Sequence, residues 1–231
     1  MNRILTLVLL ALSLGAFSQD ILLEQNVKAD SVRPKYGPNL SNYLHGYIGL
    51  GFPLFTSEAV SYTKPGSSSA FDFGLRYKRK LTNYLAVGID MGVVAAAYKV
   101  QQKEGKTVPD TIINDKEKFQ INSLQGSVYT RINVGRRGNY IGNYLDLGAF
   151  GSWNMIKKHK TTNENEDGEK VKVITGKLKY VETFGYGLLA RIGVSRYAFT
   201  ATYRLSDIFD SSAAIPELPR LIVGVEIGLF K

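Results

Sequence analysis

The sequence predicts an all-β protein: an eight-stranded antiparallel up-and-down transmembrane β-barrel with a plugged interior. Three observations favour this fold. Apolar and polar residues alternate with a period of two in several segments, and short connections between these segments alternate with long ones. After the N-terminus, no segment approaches the roughly 20 apolar residues that a membrane helix requires. The 231 residues suffice for one barrel domain.

The N-terminus has the pattern of a secretory signal peptide over residues 1–18. Arg3 supplies a positive charge, an apolar run follows, and the small residues Ala16 and Ser18 precede a predicted cleavage site before Gln19. A buried N-terminal helix is the alternative. Residues 19–42 are polar, and we expect them to form a periplasmic extension that is either a flexible tether or a docking peptide. Residues 43–231 are then the barrel.

Eight segments alternate as strands with one face in an apolar environment do. They are residues 43–54, 70–78, 84–98, 119–134, 143–154, 180–194, 197–205 and 219–230. Short turns are predicted near residues 81–83, 135–139 and 195–196. Long polar loops are predicted near residues 55–69, 99–118, 157–178 and 207–218. Outer-membrane barrels have short periplasmic turns and long extracellular loops, so this order places the chain in the outer membrane with both termini in the periplasm.

The polar face of the strands carries four acidic and four basic residues. They are Asp72, Arg76, Asp90, Arg131, Asp146, Arg191, Arg204 and Glu226. An eight-stranded barrel has an interior just wide enough for side chains to fill it, and unpaired charges are costly there. We therefore expect a lumen network of salt bridges that plugs the barrel. The strand register, and with it the choice of partners, is open at this stage.

The other face is aliphatic, with aromatic residues such as Phe71, Trp153 and Tyr203 toward the strand ends. Aromatic rings of this kind prefer the headgroup level of a membrane. Outer-membrane lipids and lipopolysaccharide are therefore expected partners. A soluble calycin-like binder of small apolar ligands, with the two faces reversed, is an alternative.

Composition excludes several kinds of chemistry. With no cysteine, the chain has no disulfide, thiolate zinc site or cysteine nucleophile, and two histidines argue against a multi-histidine metal site. No cofactor is expected. The net charge of +9 is spread along the chain, which gives nucleic-acid binding no support. His159, with Ser152 and Glu164 nearby in sequence, suggests a lipid-modifying enzyme as an alternative, although a solvated basic loop is the main expectation.

The signal peptide, the eight strands and the final strand Leu221-Ile222-Val223-Gly224-Val225-Glu226-Ile227-Gly228-Leu229-Phe230 resemble the small outer-membrane barrels. In particular, residues 43–231 resemble the PorT-like barrel family of Bacteroidota, akin to OmpA/OmpX-type barrels. In that group the last strand often ends in an aromatic residue, whereas here Lys231 follows Phe230. The expected function is that of a non-enzymatic interaction or accessory subunit of a secretion or uptake complex, with other envelope proteins as partners.

Two tripeptides resemble the Asp-Ser/Thr-apolar acceptor of Bacteroidota O-glycosylation. They place predicted modifications at Ser31 and Thr111.

Overall fold

A computed structural model describes residues 36–54, 62–64, 66–106, 108–135, 138–165, 167–213 and 215–229. The predicted signal peptide, Ser31 and most of the predicted extension lie outside the described residues.

The described residues form nine antiparallel strands. They are β1 Asn42–Leu54, β2 Ser69–Lys80, β3 Leu85–Lys99, β4 Lys116–Val134, β5 Asn143–Glu164, β6 Lys170–Gly176, β7 Phe184–Val194, β8 Tyr197–Arg204 and β9 Leu221–Leu229. A short 3-10 helix, Ser211–Ala213, follows β8. Eight strands close into a ring in the order β1-β2-β3-β4-β5-β7-β8-β9, with β9 paired to β1. The predicted eight-stranded barrel is confirmed, and β6 is an addition to it.

β6 lies outside the ring and pairs with the last seven residues of β5, Lys158 to Glu164. The sequence analysis placed these residues in polar loops, and the structure shows that this expectation was wrong. The reason is a bulge: Ser123 of β4 pairs with Asn154 and Asn122 pairs with Ile156, so Met155 is an extra residue. The bulge interrupts the period of two, although β5 continues for eight residues beyond Ile156.

The ring has two different ends. The connections β2–β3, β4–β5 and β7–β8 are short and lie at one end, here called the short-turn end. β1 begins and β9 ends there. The other connections lie at the opposite, long-loop end. The alternation that the sequence predicted is therefore present in the fold.

The aliphatic face points outward. Leu75, Ile89 and Val128 are 57%, 56% and 60% exposed, whereas Arg131 and Asp146 are buried inside. A soluble calycin-like binder requires the reverse, so that alternative was wrong. Among the described residues, no helix is long and apolar enough to cross a membrane.

Inside the ring, tyrosine rings pack over glycines on the neighbouring strands. Tyr129 is opposite Gly88 on one side and Gly148 on the other, and Tyr144 is opposite Gly193. A Cβ atom at Gly88 would lie 2.3 Å from the ring of Tyr129. The glycines therefore make room for the rings in a narrow lumen.

We predict that Gly88→Ala destabilises the barrel by about 1–3 kcal/mol because it overpacks the lumen. Gly126→Ala is the matched control, since a Cβ there meets no atom closer than 4.0 Å. Urea unfolding of both variants in detergent would measure the difference. Equal stability of the two would contradict this account of the glycines.

The long-loop end is closed by an apolar core. Its buried members come partly from strands and partly from loops that the sequence analysis expected to be only polar. The members from these loops include Tyr62, Leu178, Ile208, Phe209 and Leu218. Val181, which the sequence analysis placed in a strand over residues 180–194, also belongs to this core and precedes β7. These loops fold over the barrel mouth because their scattered apolar residues are buried against strand residues such as Tyr98 and Phe119.

The short-turn end is covered by residues 36–41. Asn39 Nδ2 donates to the carbonyl of Gly138 at 2.8 Å, and the Lys78 ammonium donates to the carbonyl of Pro38. This part of the predicted extension is therefore folded against the barrel.

Candidate functional site: the charged network in the lumen

The strand register places opposite charges side by side in the lumen. Arg76 of β2 is directly opposite Asp90 of β3. Asp146 of β5 lies between Arg131 of β4 and Arg191 of β7. All five side chains are buried. The period-two alternation determined that they face inward, and the register then makes them partners.

Arg131 and Asp146 form the most complete pair of the network. Nε and Nη2 of Arg131 donate to the two carboxylate oxygens of Asp146, each at 2.7 Å. Arg191 approaches the same carboxylate at 3.5 Å. A bidentate pair of this kind has a fixed geometry as well as a strong interaction.

Arg76 extends the network across the lumen. Its Nε donates to Asp90 at 3.0 Å and its Nη2 donates to Glu226 of β9 at 2.7 Å. Arg191 also contacts Asp90 directly and lies 3.4 Å from Glu226. The network therefore connects six of the eight ring strands, with three arginines and three carboxylates.

Aromatic rings cover the arginines. The guanidinium carbon of Arg131 lies 3.6 Å from the centre of the Tyr144 ring, and that of Arg76 lies 4.4 Å from the Tyr47 ring. Cation–π contacts of this kind are strongest where water is excluded. The rings of Tyr47 and Tyr144 therefore pack against the network inside the lumen.

Two predicted members of the network lie elsewhere. Arg204 pairs with Glu217 of the β8–β9 connection at 2.8 Å instead of with a lumen carboxylate. Asp72 forms no salt bridge with a described residue. Its carboxylate lies against Gly49, where an added Cβ would be 2.2 Å from Asp72 Oδ1. The sequence analysis missed Glu217, and it did not include the buried Lys78 in the network. The inward position of Lys78 was visible in the alternation, but Glu217 had no such signal.

A cavity of about 110 Å³ lies between the network and the apolar core of the long-loop end. Asp72, Arg191, Arg204 and Glu226 are among its lining residues, together with Tyr98. Among the described residues, no group of three or more His, Cys, Asp or Glu side chains could hold a metal ion.

His159 belongs to a second cluster, at the long-loop end. Its Nε2 donates to Glu117 Oε1 at 2.7 Å, and its ring stacks on Phe119 with centroids 4.8 Å apart. Gln102 donates to Glu117 Oε2 at 2.7 Å, and Lys106 forms a salt bridge with the same carboxylate. Glu117 therefore ties the β3–β4 connection to β4 and β5. The neighbours that the sequence suggested for His159, Ser152 and Glu164, are not its partners here.

This cluster perturbs the acidity of Glu117. Burial raises the pKa of its carboxyl, but hydrogen bonds from His159, Lys106 and Gln102 outweigh burial and hold the pKa at about 2, below the ordinary 4.5. The ionised carboxylate therefore stabilises the fold fully above pH 4.5. That contribution is lost as the pH falls toward 2.

We predict that the amides of residues 100–115 lose hydrogen-exchange protection as the pH falls from 4.5 toward 2, after correction for intrinsic rates. Glu117→Gln should show the same loss already at neutral pH. Glu104→Gln, an exposed glutamate in the same connection, is the control. Unchanged protection in Glu117→Gln would contradict the role of Glu117 in holding the β3–β4 connection against β4 and β5.

Thr111, one of the two predicted glycosylation sites, is exposed in the β3–β4 connection. The modification stays a prediction. An intact mass of the native protein equal to that of the bare mature chain would contradict it at both Thr111 and Ser31.

A closed ring of strands with an aliphatic exterior and an interior of paired charges defines a transmembrane β-barrel protein. The family comparison agrees. Residues 24–210 match the model of the outer membrane protein beta-barrel domain, and the chain belongs to this family. Comparison with curated proteins gives no match.

Proposed function

We propose that this barrel is a non-enzymatic interaction subunit of an envelope complex for secretion or uptake. In this proposal, the long-loop end faces the cell exterior and both termini lie in the periplasm, as in other barrels with this loop pattern. The resemblance to the PorT-like barrels of Bacteroidota supports the same role.

The observation that carries the proposal is the strand β6. In the described part of the chain, β6 pairs with β5 along one edge only. Val171, Val173 and Ile174 of this strand are 43%, 55% and 50% exposed. An exposed edge of β-branched residues can accept a strand from another protein, with main-chain hydrogen bonds supplying the affinity. The partner would be an envelope protein that adds one strand to β6.

Two features of the interior support a non-transporting role. The arginine–carboxylate network crosses the lumen, and the apolar core closes the long-loop end. A subunit of this kind would act through its outer surfaces.

The environment of His159 argues against the enzymatic alternative. A lipid-modifying enzyme needs an oriented histidine beside a nucleophile. His159 instead stacks on Phe119, and its Nε2 is bonded to Glu117. We expect that His159→Ala leaves the lipid A composition of the cell unchanged. A changed lipid A profile in the mass spectrum would favour the enzyme.

The interaction role is tested by cross-linking in native membranes, followed by purification in mild detergent and quantitative mass spectrometry. The parent should enrich an envelope protein that the double variant Val171→Lys, Val173→Lys enriches at least about fivefold less, because ammonium groups block the strand edge. Lys179→Gln, an exposed substitution in the β6–β7 connection, should behave as the parent. Enrichment that is the same in all three proteins would overturn the proposal.

A further inference from the structure

Four lysines from four different segments align in one row on the outer wall of the barrel. Lys99 of β3 is directly opposite Lys118 of β4, and Lys118 is directly opposite Lys160 of β5. On the other side, Thr63 bridges Val100, and the Lys64 N–H donates to the carbonyl of Lys99 at 2.7 Å. We call Lys64, Lys99, Lys118 and Lys160 the lysine ladder.

The ladder faces outward. The residues that alternate with it, Thr63, Val100, Glu117 and Phe119, are all buried. The same wall carries further lysines: Lys116 and Lys172 flank Thr162 in the next row. Ladder members and these two lysines line a surface groove of about 760 Å³.

Like charges placed directly opposite each other on a sheet are destabilising. Partial burial, and then the ammonium groups of Lys118, Lys172 and Lys158, lower the pKa of Lys160. Among the described residues, no carboxylate forms a salt bridge with a ladder lysine.

The two acidic residues that line the groove have other partners. The carboxylate of Glu117 is bonded to Lys106 and His159. The carboxylate of Asp115 accepts the backbone N–H of Glu164 at 2.7 Å. The row of positive charge therefore lacks a counter-charge within the described chain.

The position of the lysine ladder along the barrel axis indicates which part of the surroundings could supply the counter-charge. On β3, β4 and β5 the last outward apolar side chains larger than alanine are Val93, Leu124 and Ile156, and each strand reaches its ladder lysine four to six residues later. This corresponds to roughly 10–15 Å above the apolar band for strands tilted by about 40°. Exposed tryptophans are typical of the headgroup level, so Trp153, which is 48% exposed, indicates that level on β5. Flexible lysine stems can reach back toward that level.

We propose that the lysine ladder binds the phosphate groups on the saccharide headgroup of lipopolysaccharide in the outer leaflet. The proposal rests on the orientation given under Proposed function, in which the long-loop end faces the exterior. Phosphates spaced along a saccharide suit a row of lysines on neighbouring strands, whose backbones lie about 4.8 Å apart. Lysine acts toward them as a point charge, and binding in this charged groove is expected to weaken with salt.

The test uses the full mature protein in phosphatidylcholine nanodiscs with phosphorylated lipid A, with dephosphorylated lipid A, or with neither. Phosphorylated lipid A should raise the unfolding temperature of the parent, and dephosphorylated lipid A should not. The double variant Lys118→Gln, Lys160→Gln should bind phosphorylated lipid A at least about tenfold more weakly. Without lipid A it should unfold at a higher temperature than the parent, because charge repulsion is removed.

The matched control is Lys177→Gln, Lys179→Gln, which removes the same charge from exposed positions in the β6–β7 connection. It should bind as the parent does. Equal binding by the ladder variant, or equal binding of dephosphorylated lipid A, would overturn the proposal. Equal stabilisation by inorganic phosphate at the same concentration would overturn the lipid assignment in favour of a free-anion site.

These experiments distinguish failure of the lysine-ladder proposal from failure of the proposed interaction role. Loss of the envelope partner with retained lipid A binding would remove the proposed function of β6 and leave the ladder in place. Protease cleavage in the connections of the long-loop end from the periplasmic side only would contradict the orientation, and both proposals would then fail together.

Discussion

Replacing Arg131 by alanine is expected to lower the unfolding free energy of the barrel by about 3–5 kcal/mol, because the buried Asp146 loses its bidentate partner. Arg191, 3.5 Å from the same carboxylate, compensates in part, which places the expected value near the lower end. The loss of the Tyr144 contact adds to the effect. The measurement is the temperature at which the folded band disappears on a gel, together with urea unfolding in detergent.

Val128→Ala is the control. Val128 lies three residues away on the same strand, points outward and is 60% exposed, so lipid or detergent chains fill the space that its side chain leaves. We expect a change far smaller than that of Arg131→Ala. A double-mutant cycle with Asp146→Ala isolates the pair and should show strong coupling. An Arg131→Ala barrel as heat-resistant as the parent would contradict the stabilising role of the network.

We also predict that the barrel conducts no steady ion current. The network crosses the middle of the lumen, and both ends of the barrel are covered by folded residues. Reconstitution of the protein in a planar bilayer should therefore give the conductance of the bilayer alone. A wide bacterial porin in the same bilayer is the positive control.

A variant with Phe209→Ala and Leu218→Ala loosens the apolar core at the long-loop end while leaving the network intact. It should also fail to conduct, because the network and its tyrosine rings lie deeper in the lumen. A steady current that scales with the amount of parent protein would show that the lumen is open. A current in this variant alone would assign the closure to the loops and not to the network.

The inward and outward faces of the strands were predictable from the sequence. A strand turns its side chains alternately to its two faces, so the period of two in segments such as residues 84–98 determines which residues meet lipid and which meet the lumen. Hence Arg76, Asp90, Arg131, Asp146, Arg191 and Glu226 could be assigned to the interior before their partners were known. The alternation of short and long connections likewise follows from the spacing of these segments.

The partners could not be predicted, because register is a property of the closed ring. Arg76 and Glu226 are 150 residues apart in the chain and meet only because β9 closes on β1. Arg204 lies on the same inward face, but the fold of the β8–β9 connection places Glu217 next to it, so Glu217 is its salt-bridge partner. One residue of slip in any strand would exchange these contacts.

By itself, the sequence determined the barrel, its lipid-facing surface and the charged character of its interior, because each depends only on the local alternation of side chains. The tertiary structure alone decided the bulge at Met155, the addition of β6, the burial of loop residues at the long-loop end and the alignment of four lysines in one row. Each of these depends on which residues become neighbours across strands, and that is settled by the register of the ring as it closes.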